Sequence, residues 1–111
     1  MAYDSDNVFA KILRKEIPSE FIYEDDFAVA FKDIHPKAPV HLLVLPKGAY
    51  TDYNDFTLNA SKEEFFGFFK AIQQVAAQNG LVDGGYRIVF NVGSGAGQEV
   101  PHLHAHILAQ F

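Results

Sequence analysis

The sequence predicts an α+β domain: a five-stranded, mainly antiparallel sheet with one short N-terminal helix and one long helix. Two segments carry apolar residues at helical spacing, and five short apolar runs are bounded by Pro, Gly and acidic turns. Their order is helix, three strands, helix, two strands. With 111 residues and no internal repeat or low-complexity segment, the chain reads as one domain over residues 1–111.

From Asp6 to Glu16, Val8, Phe9, Ile12 and Leu13 form the stripe of a short amphipathic helix. Ser5 or Asp6 is its expected cap, Lys11, Arg14 and Lys15 suit its negative end, and Pro18 ends it. Phe21 to Glu24 and Phe27 to Asp33 read as a hairpin about Glu24-Asp25-Asp26. The loop from Ile34 to Pro39 is stiffened by its two prolines. His41 to Leu45, almost wholly apolar, belongs at the centre of the sheet, and residues 49–60 show no period and read as loop.

Ser61 and Glu64 form a capping box that opens the long helix, with Phe65, Phe68, Phe69, Ile72, Val75 and Ala76 as its apolar stripe and Asn79-Gly80 as its left-handed end. Gly67 inside it costs about 1 kcal/mol relative to Ala, which points to close backbone packing. Phe66 lies off the stripe and is available to a second interface. Tyr86 to Asn91 is a fourth strand, and the glycine-rich loop from Val92 to Glu99 leads into a fifth.

The chain has no cysteine, so disulfides, thiolate metal sites and a Cys nucleophile are excluded, and any metal would need His and carboxylates. A net charge of -5 with nine Lys and Arg argues against a nucleic acid polymer as ligand but leaves a small anion open. The acidic start, Met1 to Asn7, lacks the pattern of a secretion signal, and no apolar run reaches the roughly 18 residues that cross a bilayer. The expectation is a soluble cytoplasmic protein without membrane association.

The chemistry is concentrated at the end of the chain. In Pro101-His102-Leu103-His104-Ala105-His106-Ile107-Leu108, strand alternation would put the three imidazoles on one face and Leu103, Ala105 and Ile107 on the other. Such a row suits either a zinc ion or nucleophilic attack on phosphorus, because imidazole titrates near ~6.5 and supplies both neutral and charged rings. Gly93, Gly95 and Gly97 leave the preceding loop free to turn backbone N–H groups toward an anion, although a plain flexible connection reads equally well. His35 and His41 form the only other histidine group; His41 is a candidate partner for the row, and Asp33 either an ordinary strand-end carboxylate or a ribose binder.

His102-Leu103-His104-Ala105-His106-Ile107-Leu108 fits the motif of the histidine triad (HIT) superfamily at every position, and the chain resembles its Hint-like branch. The resemblance extends in order through Phe9-Ala10-Lys11-Ile12, Ile17-Pro18, Glu24-Asp25-Asp26, Phe31-Lys32-Asp33-Ile34, Ala38-Pro39-Val40-His41, Val44-Leu45-Pro46-Lys47, Gly85-Tyr86-Arg87, Asn91 and Gly97-Gln98. It implies a purine nucleotide-binding hydrolase or transferase that cleaves nucleoside 5′-monophosphate conjugates, phosphoramidates among them, through a nucleotidyl-histidine intermediate. By position, His104 resembles the nucleophile, His106 and His102 the phosphate-side and supporting histidines, and His41 the upstream histidine behind them. Val8, Phe9, Ile12, Phe31 and Ile34 resemble the base pocket, Asp33 the ribose binder, and Asn91, Gly97 and Gln98 the phosphate-side wall.

The resemblance further implies a HIT-like fold whose sheet extends to ten strands in a homodimer, with long helices packed across the two-fold axis, and a reaction that needs no cofactor. Zinc would be adventitious. Glu99 stands where the branch usually has a serine facing the scissile bond, which bears on leaving-group choice, and the sequence ends at Phe111 where the branch continues toward the partner's site, for which the expectation is a more open pocket and a broader or different substrate choice. The alternatives are a nucleotide-binding interaction module with little turnover and a dinucleoside polyphosphate hydrolase.

Overall fold

The computed structural model describes residues 2–111; Met1, which opens the acidic N-terminal stretch, lies outside the described residues. The elements are α1 (Val8–Leu13), β1 (Tyr23–Glu24), β2 (Ala28–Lys32), β3 (Val40–Pro46), α2 (Tyr53–Asn59), α3 (Lys62–Gln78), β4 (Arg87–Val89), a 3-10 turn (Ser94–Ala96) and β5 (Ala105–Ala109). The strands lie in the order β1-β2-β3-β5-β4 with every pairing antiparallel, so the α+β expectation holds and β3 is the central strand.

Alternation along the strands creates two cores. On one face Ala28, Ala30, Leu42, Val44, Ala105, Ile107 and Ala109 pack with Phe68, Ile72 and Val75 of α3. The alanines let the large helix side chains approach the sheet closely. On the other face Val29, Phe31, Leu43 and Leu45 pack against Phe9 and Ile12 of α1. Strands covered on both faces lose their polar positions, which is why β2 and β3 read as continuous apolar runs.

α3 opens with the expected capping box, Ser61 with Glu64, and Gly80 takes φ 71° just past its end. A Cβ at Gly67 would lie 2.5 Å from the Phe27 ring, so the helix passes against that ring only because the residue is glycine. Phe65 and Phe69, expected in the buried stripe, are each 37% exposed and flank the more exposed Phe66.

The structure corrects the sequence reading at four places. Residues 53–59 are helical: Asp52 caps α2 through the Asp55 amide, and Phe56 is buried. A single buried residue in seven gives too weak a period to be seen in the sequence. α1 is capped by Asn7, whose Oδ1 accepts from the Ala10 N–H at 2.8 Å, and it ends before Lys15 at φ 63°, ahead of Pro18. β4 covers 87–89 rather than 86–91. The last strand begins only at Ala105, because the Leu103 amide donates to the Tyr50 carbonyl and His102 to the Pro46 carbonyl, which draws both residues out of the ladder. No helix among the described residues is long and apolar enough to cross a membrane.

Candidate active site

A cavity of about 640 Å³ lies on the α1 face of the sheet. α1 supplies Val8, Phe9 and Ile12, the end of β2 supplies Phe31 and Asp33, and the following loop supplies Ile34. His41 enters from β3, Asn91 from just beyond β4, Gly97 and Glu99 from the glycine loop, and His104 and His106 from the end of the chain. Two of the anticipated residues have no face on it. His102 is fully buried behind the cavity, and Gln98 braces the loop by accepting from the Gly93 amide and donating to the Thr51 and Val100 carbonyls. The expected row of three imidazoles facing one cleft is therefore two rings at the cleft and one behind them.

The loop also departs from the picture of free amides. Ala96 and Gln98 donate to the Gly93 carbonyl and Gly97 to the Ser94 carbonyl, so these N–H groups close the turn. Gly93 and Gly97 take φ 85° and 87°, which this turn requires and other residues rarely adopt. Gly97 meets the cavity as a wall.

The partners around the histidines fix each proton, since a backbone N–H only donates and a carbonyl only accepts. Lys37 N–H donates to His41 Nδ1 at 3.0 Å, so His41 carries its proton on Nε2, which lies 2.8 Å from His106 Nδ1 and 3.3 Å from Asp33 Oδ2. His106 Nδ1 accepts, leaving its own proton on Nε2; the Asn91 Nδ2 that faces this nitrogen at 3.4 Å is itself a donor, so the carboxamide pairs with the Nε2–H only when it turns its Oδ1 inward. His102 donates from Nε2 to the Pro46 carbonyl at 2.9 Å, and its Nδ1 accepts from the Tyr3 hydroxyl at 2.6 Å. His104 donates from Nδ1 to the His102 carbonyl at 2.7 Å. Its Nε2 is thereby left with a lone pair on a ring that lines the cavity.

Burial disfavours the charged form of His102, His104 and His106. Desolvation lowers His102 and His106 to about 4, His106 being further discouraged from charging by His104 and His41. His104 is also lowered, desolvation outweighing its bond to the His102 carbonyl and the nearby Asp33 and Glu99 charges. Phe9 packs edge-on against His104 with ring centroids 4.9 Å apart, holding the ring while shielding it.

Asp33 Oδ2, His41 Nε2 and His106 Nδ1 lie within 4.8 Å of one another, close enough to share a cation. In this arrangement the proton on His41 Nε2 already joins them, and a metal ion would have to displace it. The site thus offers an unprotonated imidazole nitrogen, an imidazole N–H and carboxamide beside it, a carboxylate, and apolar walls.

Several lining residues went unread in the sequence. Leu43 and Leu108 continue the alternating faces of Phe31 and His106, and Val89 is the register partner of His106, so pattern alone could have found them. Ile17, Pro18, Ser19, His35, Lys37 and Val100 come from loops whose direction no period encodes, and Lys32 is the last residue of β2.

Residues 14–111 match the HIT domain family. The chain is 52% identical over 107 residues to a 13.2 kDa HIT-like protein of Azospirillum brasilense, covering 96% of this chain and 88% of that one. It is 39% identical over 104 residues to the purine nucleoside phosphoramidase of Escherichia coli K12, covering 93% and 86%. A crystal structure of a HIT family hydrolase from Legionella pneumophila superposes with a TM-score of 0.85 at 42% identity, covering 94% and 92%.

Proposed function

The chain belongs to the HIT family and is a hydrolase of that family, and from this premise we propose that it cleaves purine nucleoside 5′-monophosphate conjugates of the phosphoramidate type through a nucleotidyl-histidine intermediate. The observation that carries the reading is the bond from His104 Nδ1 to the His102 carbonyl, which leaves the Nε2 lone pair for the cavity. His104 Nε2 attacks the α-phosphorus. A bond from that nitrogen to phosphorus forms as the bond to the leaving nitrogen breaks, and the departing amine takes the electron pair and a proton from solvent, which the attacking water of the second step returns. Water then attacks the same phosphorus, releases the nucleoside monophosphate and restores the neutral ring. His104 is positively charged only in the intermediate, so its bond to the His102 carbonyl strengthens as the reaction proceeds.

His106 offers its Nε2–H to a phosphoryl oxygen, with the Asn91 carboxamide beside it. Asp33, whose carboxylate also lies 3.3 Å from His41 Nε2, takes ribose hydroxyls, and the base lies against the apolar wall of Val8, Phe9, Ile12, Phe31 and Ile34. No metal or other cofactor enters these steps.

The test is incubation with adenosine 5′-phosphoramidate and measurement of released AMP, with His104→Ala as the control. Equal turnover in the variant would overturn the assignment of the nucleophile, and tight AMP binding without turnover on phosphoramidates would favour a binding module.

The same reading includes a homodimer. Tyr53 and Phe69 stand exposed beside Phe90, with Phe65 against Phe69 and the more exposed Phe66 on the same helix, and Ile88 of the edge strand β4 is 47% exposed. An unpaired edge flanked by aromatic rings suits joining to a second copy into a ten-strand sheet. Light scattering reads the mass, and Phe66→Glu is expected to shift it to the monomer.

A further inference from the structure

We propose that Tyr3 is a positioning residue for the nucleophile: its hydroxyl holds the His102 imidazole, and through it the carbonyl that fixes the proton of His104. The proposal rests on the reading of His104 as nucleophile.

The Tyr3 hydroxyl lies 2.6 Å from His102 Nδ1, and the two rings meet edge-on at 5.6 Å and 74°. His102 is engaged at both nitrogens, by Tyr3 on one side and the Pro46 carbonyl on the other, and has no exposure to solvent. The ring can neither turn nor move its proton to the other nitrogen without breaking both bonds. Its own backbone carbonyl is then held where His104 Nδ1–H meets it at 2.7 Å. Three hydrogen bonds in series, from Pro46 and Tyr3 to His102 and from His102 to His104, set which nitrogen of His104 stays bare.

A second observation ties the same segment to the site. The chain after Tyr3 turns at once into the cap of α1, with Asn7 donating to the Asp4 carbonyl from its side chain at 2.7 Å and from its backbone at 3.3 Å. One turn later Phe9 packs edge-on against His104. The N-terminal segment therefore touches the histidine row twice within seven residues, by a hydrogen bond to His102 and by a ring on His104. A tyrosine needed only for packing would have no use for its hydroxyl, because Phe makes the same edge contact.

The experiment compares wild type, Tyr3→Phe and Tyr3→Ala in three readouts: AMP release from adenosine 5′-phosphoramidate, AMP affinity by calorimetry, and histidine tautomers by side-chain nitrogen NMR. Tyr3→Phe is expected to lower kcat about tenfold, while AMP affinity stays within about twofold because the cavity walls are untouched. His102 should keep the Nε2–H form, which the Pro46 carbonyl fixes by itself, while its ring signals broaden for want of the second anchor, and the His104 Nδ1–H signal should broaden by exchange with water. Tyr3→Ala should add little further loss of kcat. A Tyr3→Phe protein with wild-type kcat and unbroadened His102 and His104 ring signals, beside a Tyr3→Ala protein that only melts earlier, would reduce Tyr3 to packing and overturn the proposal. If wild type releases no AMP, the proposed reaction fails, and the broadening of the His102 and His104 ring signals in Tyr3→Phe still decides the role of Tyr3.

Discussion

His41 donates its Nε2 proton to Nδ1 of His106 across 2.8 Å, from one antiparallel strand to the next. This bond decides which nitrogen of His106 presents a proton to the cavity. In His41→Phe the ring volume stays but the donor goes, and His106 is free to carry its proton on Nδ1. The expected result is a fall in kcat of about tenfold, the scale of one lost hydrogen bond, with substrate affinity less affected. Steady-state kinetics on adenosine 5′-phosphoramidate check it, and an unchanged kcat would mean that His41 does not set the tautomer of His106.

Removing the proposed nucleophile has a different signature. His104→Ala is expected to lower kcat by on the order of 10⁴-fold while AMP still binds, because the apolar walls and Asp33 remain. Mass spectrometry of the quenched wild-type reaction should find a nucleotidyl adduct that is absent from His104→Ala. An adduct on another residue would reassign the chemistry.

The acid side of the rate profile follows from burial. His104 sits below the ordinary imidazole range, so its neutral, attacking form persists as pH falls past 6.5. The acid limb of kcat/KM is expected below pH 6.5. A limb at or above that value, measured between pH 4.5 and 8, would contradict the shielded site.

Stability should respond to the same burial. The unfolded chain binds protons on His102 and His106 near pH 6.5, whereas the folded chain does so only near about 4. Below pH 6.5 the unfolded state therefore binds more protons, and stability is lost progressively until about pH 4. For the fully buried His102 the full change corresponds to about 3 kcal/mol. Urea midpoints should fall between pH 6.5 and 5, a window above the usual carboxylate range, and His102→Gln should flatten that slope.

Gly67→Ala tests the approach of α3 to the sheet. Helix propensity alone favours Ala by about 1 kcal/mol, but the new Cβ would lie 2.5 Å from the Phe27 ring. Overpacking of this kind costs about 1 to 3 kcal/mol, so a net loss of about 1 kcal/mol and about 5 °C in Tm is expected. Adding Phe27→Ala should cost less in the Gly67→Ala background than in wild type.

What the sequence made legible was local. The alternation at His104, Ala105, His106 and Ile107 survives in the structure, as do the Ser61-Glu64 box and the tight passage at Gly67. Where the last strand begins was not legible, because it depends on the Pro46 and Tyr50 carbonyls, more than fifty residues away in the chain. The burial of His102 and its bond to Tyr3 are equally non-local: the motif spaces three histidines evenly and says nothing of which one the tertiary packing draws inward. The cap of α2 was present as Asp52 and Asp55, yet one buried aromatic gave no stripe to follow it.

β5 carries His106 toward the cavity and Ile107 into the α3 core on alternate positions, with Ala105 and Ala109 packed in that same core. The strand is thus a beam bolted along one side, and play in the bolts becomes misalignment of the reagents on the other. Enlarging Ala105 would displace the flanking histidines as surely as a change in the pocket. Retuning this scaffold to another leaving group is accordingly a matter for its movable walls, the loop after β2 and the residues around Glu99, and the beam is the part to leave alone.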